Sequence, residues 1–278
     1  MKKLNSILDI IDSYDNFILD QWGVMHDGKT GYKHAIDAVR YLEDKNKKLI
    51  IISNSSKRKK SSQNRLPKLG FNKNSFINVL TSGEMIWETI HQTYYNFLYK
   101  KKCFHICDIS KEDGLDFRKG LNLTYTENIA ESELILACTP FPNMQPIDYI
   151  PILDKAIENK LIMYCANPDF ETVEKKHNQN IFCMGVIAEI YKKMGGKVII
   201  KGKPDISIYI KSTESLDINK KRTIAIGDSL FHDIKGANNF TIDSILVKSG
   251  IHNDTNTINN LCINHKIKPK FLMDNFCI

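Results

Sequence analysis

The stretch Phe17-Ile18-Leu19-Asp20-Gln21-Trp22-Gly23-Val24-Met25-His26-Asp27-Gly28 decides how this chain is read. A short apolar run ends on a carboxylate and passes straight into a loop rich in glycine and polar residues. Runs of this kind, bounded by turn residues, read as buried strands. The carboxylate therefore stands at the C-terminal tip of a strand. Outward from it, residues 32–45 carry Ala35, Ile36, Val39 and Leu42 at helical spacing, and Leu49 to Ile52 form a second apolar run that ends in Ser53-Asn54. A helix is expected over about 57–69, closed by Gly70, with a third strand at Ile77 to Leu80. The last third repeats the rhythm. Lys201-Gly202-Lys203-Pro204 is a turn leading into a helix that starts at Pro204, Thr223 to Ile226 is a strand ending in Gly227-Asp228, a short helix covers about 233–239, and Ser244 to Val247 is a further strand. Strands alternating with helices imply a doubly wound parallel sheet, an α/β fold with helices on both faces.

With 278 residues and 42% hydrophobic residues, the chain is long enough for one large domain or two modest ones. The net charge of +7 comes from scattered lysines, with one tight run at Lys57-Arg58-Lys59-Lys60 that reads as a solvated first helical turn. No concentrated basic face of the kind nucleic acid requires is visible. The seven cysteines are odd in number and irregular in spacing, so neither a disulfide framework nor a zinc site is expected. The start, Met1 to Asp15, reads as a helix; Asp9 and Asp12 break its apolar stretch and no small-residue cleavage site follows. No apolar run approaches the roughly 20 residues that cross a bilayer, so the expectation is a cytoplasmic protein with no membrane partner.

Chemistry in a parallel α/β sheet gathers at the C-terminal ends of the strands. Four such points carry suggestive groups: Asp20, Ser53-Asn54, Lys203 after its turn, and Asp228 with Asp233. Each alone also fits a helix cap or a turn. Together and in this order, the stretches ILDQWGVMHDG, IIISNSS, KGKPD and AIGDSLFHDIKGA resemble the haloacid dehalogenase (HAD) superfamily. Ser53 lies 33 residues after Asp20, and Lys203 lies 150 residues after Ser53. The first gap holds one helix; the second holds a core strand and a complete cap. That spacing resembles class IIA, the group of NagD-like nucleotide and sugar phosphatases, and CANPD at 165–169 agrees with it. The expected organisation is a Rossmann-like core from 1–82 and 202–278, with an α/β cap over 83–201.

The resemblance implies a Mg2+-dependent hydrolase acting on a small phosphorylated metabolite. Asp20 would be the nucleophile and would form an aspartyl phosphate. Asp20, the main-chain carbonyl of Trp22 and Asp228 would hold Mg2+, and Asp233 a water on it. Ser53 and Asn54 would bind the phosphoryl oxygens. Lys203 would balance their charge, with Lys201 as a runner-up. Asp169 would lie near the substrate, and the cap could support a homodimer. One departure stands out. The superfamily's phosphatases carry a second Asp two residues after the nucleophile, which protonates the leaving group and then activates water; here that residue is Trp22. His26, on the same loop as Asp27, is the expected substitute. Trp22 itself fits either packing under the cap or stacking on a substrate. Tyr94, Tyr95, Phe97 and Tyr99 are expected to pack a cap helix. Two competing readings follow. One is a non-catalytic phosphometabolite-binding protein on the same fold. The other is a receiver-type phosphoacceptor, against which the 150-residue spacing to Lys203 argues.

Overall fold

The structure, a computed structural model, describes residues 1–110, 114–176 and 179–278. After β1 (Lys2–Lys3), the chain enters β2 (Asn16–Leu19), α1 (Lys33–Asp44), β3 (Lys48–Ser53), α2 (Lys59–Arg65), β4 (Phe76–Thr81) and α3 (Ser82–Tyr94). It then builds β5 (Lys101–Ile106), β6 (Leu123–Thr126), β7 (Leu134–Ala137), α4 (Ile150–Glu158) and β8 (Ile162–Cys165), a hairpin of β9 (Glu171–Lys176) and β10 (Gln179–Phe182), α5 (Met184–Lys193) and β11 (Lys197–Ile200). It closes with α6 (Ile206–Thr213), β12 (Thr223–Gly227), α7 (Lys235–Phe240), β13 (Asp243–Val247), α8 (Thr255–His265) and β14 (Phe271–Met273).

Two parallel sheets result. The larger has the order β1-β14-β13-β12-β2-β3-β4, and the smaller the order β11-β8-β7-β5-β6. In the larger sheet β2 lies between β12 and β3, with Leu19 registered against Ile226 on one side and Ile51 on the other. Both neighbours are parallel, so the three strands release their chains at the same edge. That register sets Asp20, Ser53 and Asp228 side by side.

Apolar side chains fill both faces of the larger sheet, as its near-continuous hydrophobic strands require. Val39 and Leu42 of α1 pack with Phe17, Leu49 and Ile51 on one face. Ile208 and Tyr209 of α6 and Ala237 and Phe240 of α7 pack with Ile18, Ile50 and Ile52 on the other. The smaller sheet is covered by α4 and α5 on one side, through Leu153, Ile187 and Tyr191, and by Ile86 and Ile90 of α3 on the other. Arg58 locks α3 to the α2 segment by a two-pronged ion pair with Glu84, at 2.7 and 3.0 Å. Arg58 is therefore a structural cation rather than part of a solvated turn.

Three local expectations change. The N-terminal segment is not a helix but two 3-10 turns, Ile7–Asp9 and Ile11–Ser13. Its short polar side chains take the backbone donors: Ser6 accepts from Leu8 N–H at 3.0 Å, and Asp9 from Asn5 N–H at 3.0 Å. The expected helix over 57–69 is α2 followed by a 3-10 turn from Leu66 to Leu69, ended by Gly70 at φ +86°. Of the aromatic cluster, Tyr94 packs on the core, its hydroxyl 3.1 Å from that of Tyr164; Tyr95, Phe97 and Tyr99 are exposed, with Phe97 against Tyr94 and Tyr95 against His91. No helix among the described residues is long and apolar enough to cross a membrane, and all seven cysteines are free.

Candidate active site

Asp20 continues from β2, and its N–H donates to the carbonyl of Ile226 at 2.9 Å, which ties it to the end of β12. Asp228 follows β12 directly. Asp233 comes from a π-helical turn, Leu230–Ile234, that precedes α7. The wide turn directs both His232 and Asp233 toward the sheet edge; single π turns of this kind occur frequently at functional sites. The carboxylate oxygens of Asp20, Asp228 and Asp233 lie within 4.8 Å of one another. Lys203 reaches in from the loop after β11, its Nζ 2.5 Å from Asp20 Oδ1 and 2.6 Å from Asp233 Oδ1.

Three carboxylates thus face one ammonium, and all four groups are buried. Burial raises the Asp20 carboxyl to about 7; the Lys203 charge opposes that rise and the Asp233 charge adds to it. Burial pushes Asp228 well above the usual carboxylate range, and the charges of Asp20 and Asp233 push the same way. Burial works against the Lys203 ammonium, but the charges of Asp20 and Asp233 outweigh it and hold its pKa above that of a free lysine. The ionised cluster is short of two positive charges. A divalent cation would supply that charge, and a set of donors made of oxygen alone would suit a hard ion such as Mg2+. The surroundings keep Asp228 fixed for the purpose: Ile251 N–H donates to its Oδ2 at 3.0 Å, and a Cβ on Gly23 or Gly250 would fall 2.1 or 1.7 Å from that oxygen.

Ser53 and Asn54 leave the adjacent strand β3. Ser53 lines the same cleft as Asp20. Asn54 does something other than expected. Its Oδ1 accepts from Lys203 N–H at 2.8 Å, and its Nδ2 donates to the Lys203 carbonyl at 3.0 Å and to Asp169 Oδ1 at 2.8 Å. Both amide hydrogens are used within the protein, so Asn54 clamps the Lys203 loop instead of offering a donor to phosphate. Asp169, on the segment after β8, meets Asn54 and lies 3.3 Å from His232 Nδ1. It is one of the points at which the smaller-sheet region touches this edge, Phe170 beside the His232 ring being another.

His26 is brought elsewhere. It is buried, its Nδ1 accepts from Gly28 N–H at 3.1 Å, and it is absent from the described residues that line the cleft. Burial, with the nearby Arg65 charge, lowers its pKa to about 4. This corrects the expectation that His26 replaces the missing acid–base group: it braces the loop from within. Trp22 does line the cleft, its ring edge-to-face with His26 at 5.1 Å between centroids and capped by the Arg65 guanidinium at 5.5 Å.

Sequence reasoning missed His232 and Arg65. His232 lines the cleft, with Ser229 Oγ 3.1 Å from its Nδ1. It was visible beside Asp233 in the acidic stretch, but only the π turn shows that both residues face inward.

Profiles of two families match the chain: a haloacid dehalogenase-like hydrolase family over residues 17–116 and a HAD-hydrolase-like family over residues 200–277. These ranges hold every one of the four strand-end groups in its expected order. The chain belongs to the haloacid dehalogenase superfamily. The superfamily's class IIA cap is the inserted five-stranded sheet. Among solved structures, a haloacid dehalogenase-like hydrolase from Brucella suis is 26% identical, with a TM-score of 0.83, covering 98% of this chain and 99% of that one. A possible sugar phosphatase from Cytophaga hutchinsonii matches at 17% identity and a TM-score of 0.78, covering 100% and 99% of the two chains. A p-nitrophenyl phosphatase from Archaeoglobus fulgidus matches at 18% and 0.68, covering 95% and 97%. No curated protein sequence matches the chain.

Proposed function

We propose that the protein is a Mg2+-dependent phosphatase of small phosphorylated metabolites that works through an aspartyl phosphate at Asp20. One observation carries this reading: Asp20 lines the cleft with Lys203 on one of its oxygens, in a cluster whose three carboxylates outnumber its one ammonium.

In the first step, Asp20 Oδ attacks phosphorus, the bond from phosphorus to the leaving oxygen breaks, and its electron pair departs with the leaving group. In the second, water bonds to phosphorus, the P–O bond to Asp20 breaks, its electron pair returns to the carboxylate, and the water proton passes to a phosphoryl oxygen. Lys203 balances charge between nucleophile and phosphoryl oxygens as a fixed point charge. Ser53 Oγ–H and neighbouring N–H groups bind those oxygens. Asp20, Asp228 and the Trp22 carbonyl, with Asp233 in support, would hold Mg2+, which would supply charge stabilisation of the kind phosphoryl transfer depends on. Trp22 cannot give or take a proton, so leaving groups that depart without one are favoured. Loss of a general acid typically costs about 10²–10⁴-fold on other substrates.

Hydrolysis of p-nitrophenyl phosphate, with and without Mg2+, tests the reading in the wild type and in Asp20→Asn. Metal-dependent turnover abolished by the substitution is expected. A second reading, a binding protein without turnover, draws on Trp22 and the buried His26. It takes over if neither protein turns over while the wild type still binds Mg2+ and inorganic phosphate.

A further inference from the structure

The cleft that holds Asp20 has a volume of about 1130 Å³. That exceeds the roughly 300–1,000 Å³ of a typical small-molecule site and far exceeds a phosphoryl group. One wall is the α2 segment with the 3-10 turn after it. Lys57, Ser61, Asn64, Arg65 and Lys68 all line the cleft; Lys57 comes from the bend before α2, and the spacing of three and four residues places Ser61, Asn64, Arg65 and Lys68 on one face of α2 and the turn that continues it. That wall turns two hydrogen-bonding side chains and three cations toward the space beyond Asp20.

Arg65 is the best placed of the three. Its guanidinium lies over the Trp22 ring, 5.5 Å from the centroid, and donates to the carbonyl of Gly28. It is therefore fixed beside the residue that occupies the position of the missing acid. Among the described residues the cap wall carries four acidic groups, and all are engaged: Asp116 with Lys119 at 2.6 Å, Asp108 with Ser110 N–H at 3.0 Å, Asp169 with Asn54 Nδ2 at 2.8 Å, and Glu171, which is also partnered. Trp22 offers no proton to a leaving oxygen, and His26 does not reach the cleft. With no proton donor on the nucleophile's own loop, a leaving group that departs as an anion is favoured, and the charged side chains beside Trp22 that could meet that anion are cationic.

We infer that Arg65, seated on Trp22, together with Lys68 forms a second anion-binding site, and that the substrate is a phosphoanhydride whose leaving half carries its own negative charge. The inference rests on the phosphatase reading and names its substrate class. In the transfer, Asp20 Oδ bonds to the terminal phosphorus, the bridging P–O bond breaks, and its electron pair leaves on the bridging oxygen as phosphate. No proton is needed at that step; a permanent charge does what an acid would do by transfer. In the second step, water bonds to phosphorus, the P–O bond to Asp20 breaks with its pair, and the water proton passes to a phosphoryl oxygen. Arg65 suits the task because its planar fork meets phosphate in two places and stays charged.

The test compares inorganic pyrophosphate with p-nitrophenyl phosphate in the Mg2+-loaded protein. Both leaving groups depart as anions, but only the first carries charge while bound. The selectivity ratio, kcat/KM for pyrophosphate over that for p-nitrophenyl phosphate, is expected to fall at least about tenfold in Lys68→Gln and in Arg65→Gln, the loss of one charge-assisted contact, and to recover only in part in Arg65→Lys, which keeps the charge but not the planar fork. An unchanged ratio in both Gln variants overturns the inference and leaves the phosphatase reading intact. If the wild type hydrolyses neither compound, the phosphatase reading has failed. Calorimetric binding then decides the site by itself: pyrophosphate must bind more tightly than inorganic phosphate, and the difference must shrink in Lys68→Gln. Equal binding of the two anions overturns it.

Discussion

His26→Asn separates a loop brace from a proton carrier. Asn can keep the acceptor that Gly28 N–H requires but removes the titrating ring. In the folded protein the His26 pKa is lowered to about 4, against an ordinary value of 6.5 in the unfolded chain. The sign follows directly. Above pH 6.5 both states are neutral there and the full stability is present. As the pH falls from 6.5 toward 4, the unfolded chain takes up a proton that the folded one refuses, and stability is lost. At about 1.4 kcal/mol per unit the whole window is worth about 3 kcal/mol, of which about 2 kcal/mol is gone by roughly pH 5. Urea unfolding near pH 7.5 and near pH 5 measures it. The wild type should lose about 2 kcal/mol more than His26→Asn between those conditions. The similarly depressed His105, at about 3, titrates in both proteins and cancels. The pH–rate profile on p-nitrophenyl phosphate should keep its shape in the variant. A profile that loses a limb, or a stability difference that does not depend on pH, would refute the assignment of His26 to the loop interior.

Three further outcomes are expected. Lys203→Met leaves Asp20 and Asp233 buried without their cation; breaking such a pair costs about 3–5 kcal/mol, which should appear in metal-free urea unfolding, with loss of turnover. Asn54→Asp keeps the acceptor for Lys203 N–H but loses the donors to the Lys203 carbonyl and to Asp169, so stability should fall by about 1–3 kcal/mol and kcat should fall more than KM rises. Gly250→Ala sets a methyl group 1.7 Å from Asp228 Oδ2; the carboxylate must move, and the Mg2+ concentration for half-maximal activity should rise by at least about tenfold, the effect of disturbing a ligand's support.

The parts of the site that could be read in the sequence are those the sheet itself places. Asp20, Ser53 and Asp228 end or follow three adjacent parallel strands, so an apolar run and a polar terminus sufficed to find them. Lys203 was legible because a glycine-proline turn delivers it. The rest depends on contacts that spacing does not encode. His26 and Trp22 share one loop, yet one turns into the core and the other into the cleft. Asn54 reads as turn chemistry until the backbone of Lys203, 149 residues away, closes on its amide. Arg65 looked like an ordinary helix residue, and only its place above Trp22 gives it a role. The N-terminal segment misled because its apolar spacing fits a helix while its Ser6 and Asp9 side chains take backbone donors that a helix would use.

Phosphorylation of Asp20 itself tests the central claim most directly. The Mg2+-loaded wild type is mixed with p-nitrophenyl phosphate, quenched in acid within one turnover, digested and weighed peptide by peptide. The account predicts the mass of one added phosphoryl group on the peptide containing Asp20, chased away by delay before the quench and never formed in Asp20→Asn. Turnover with no phosphoryl group on that peptide at any time, or with the group on another residue, would contradict it.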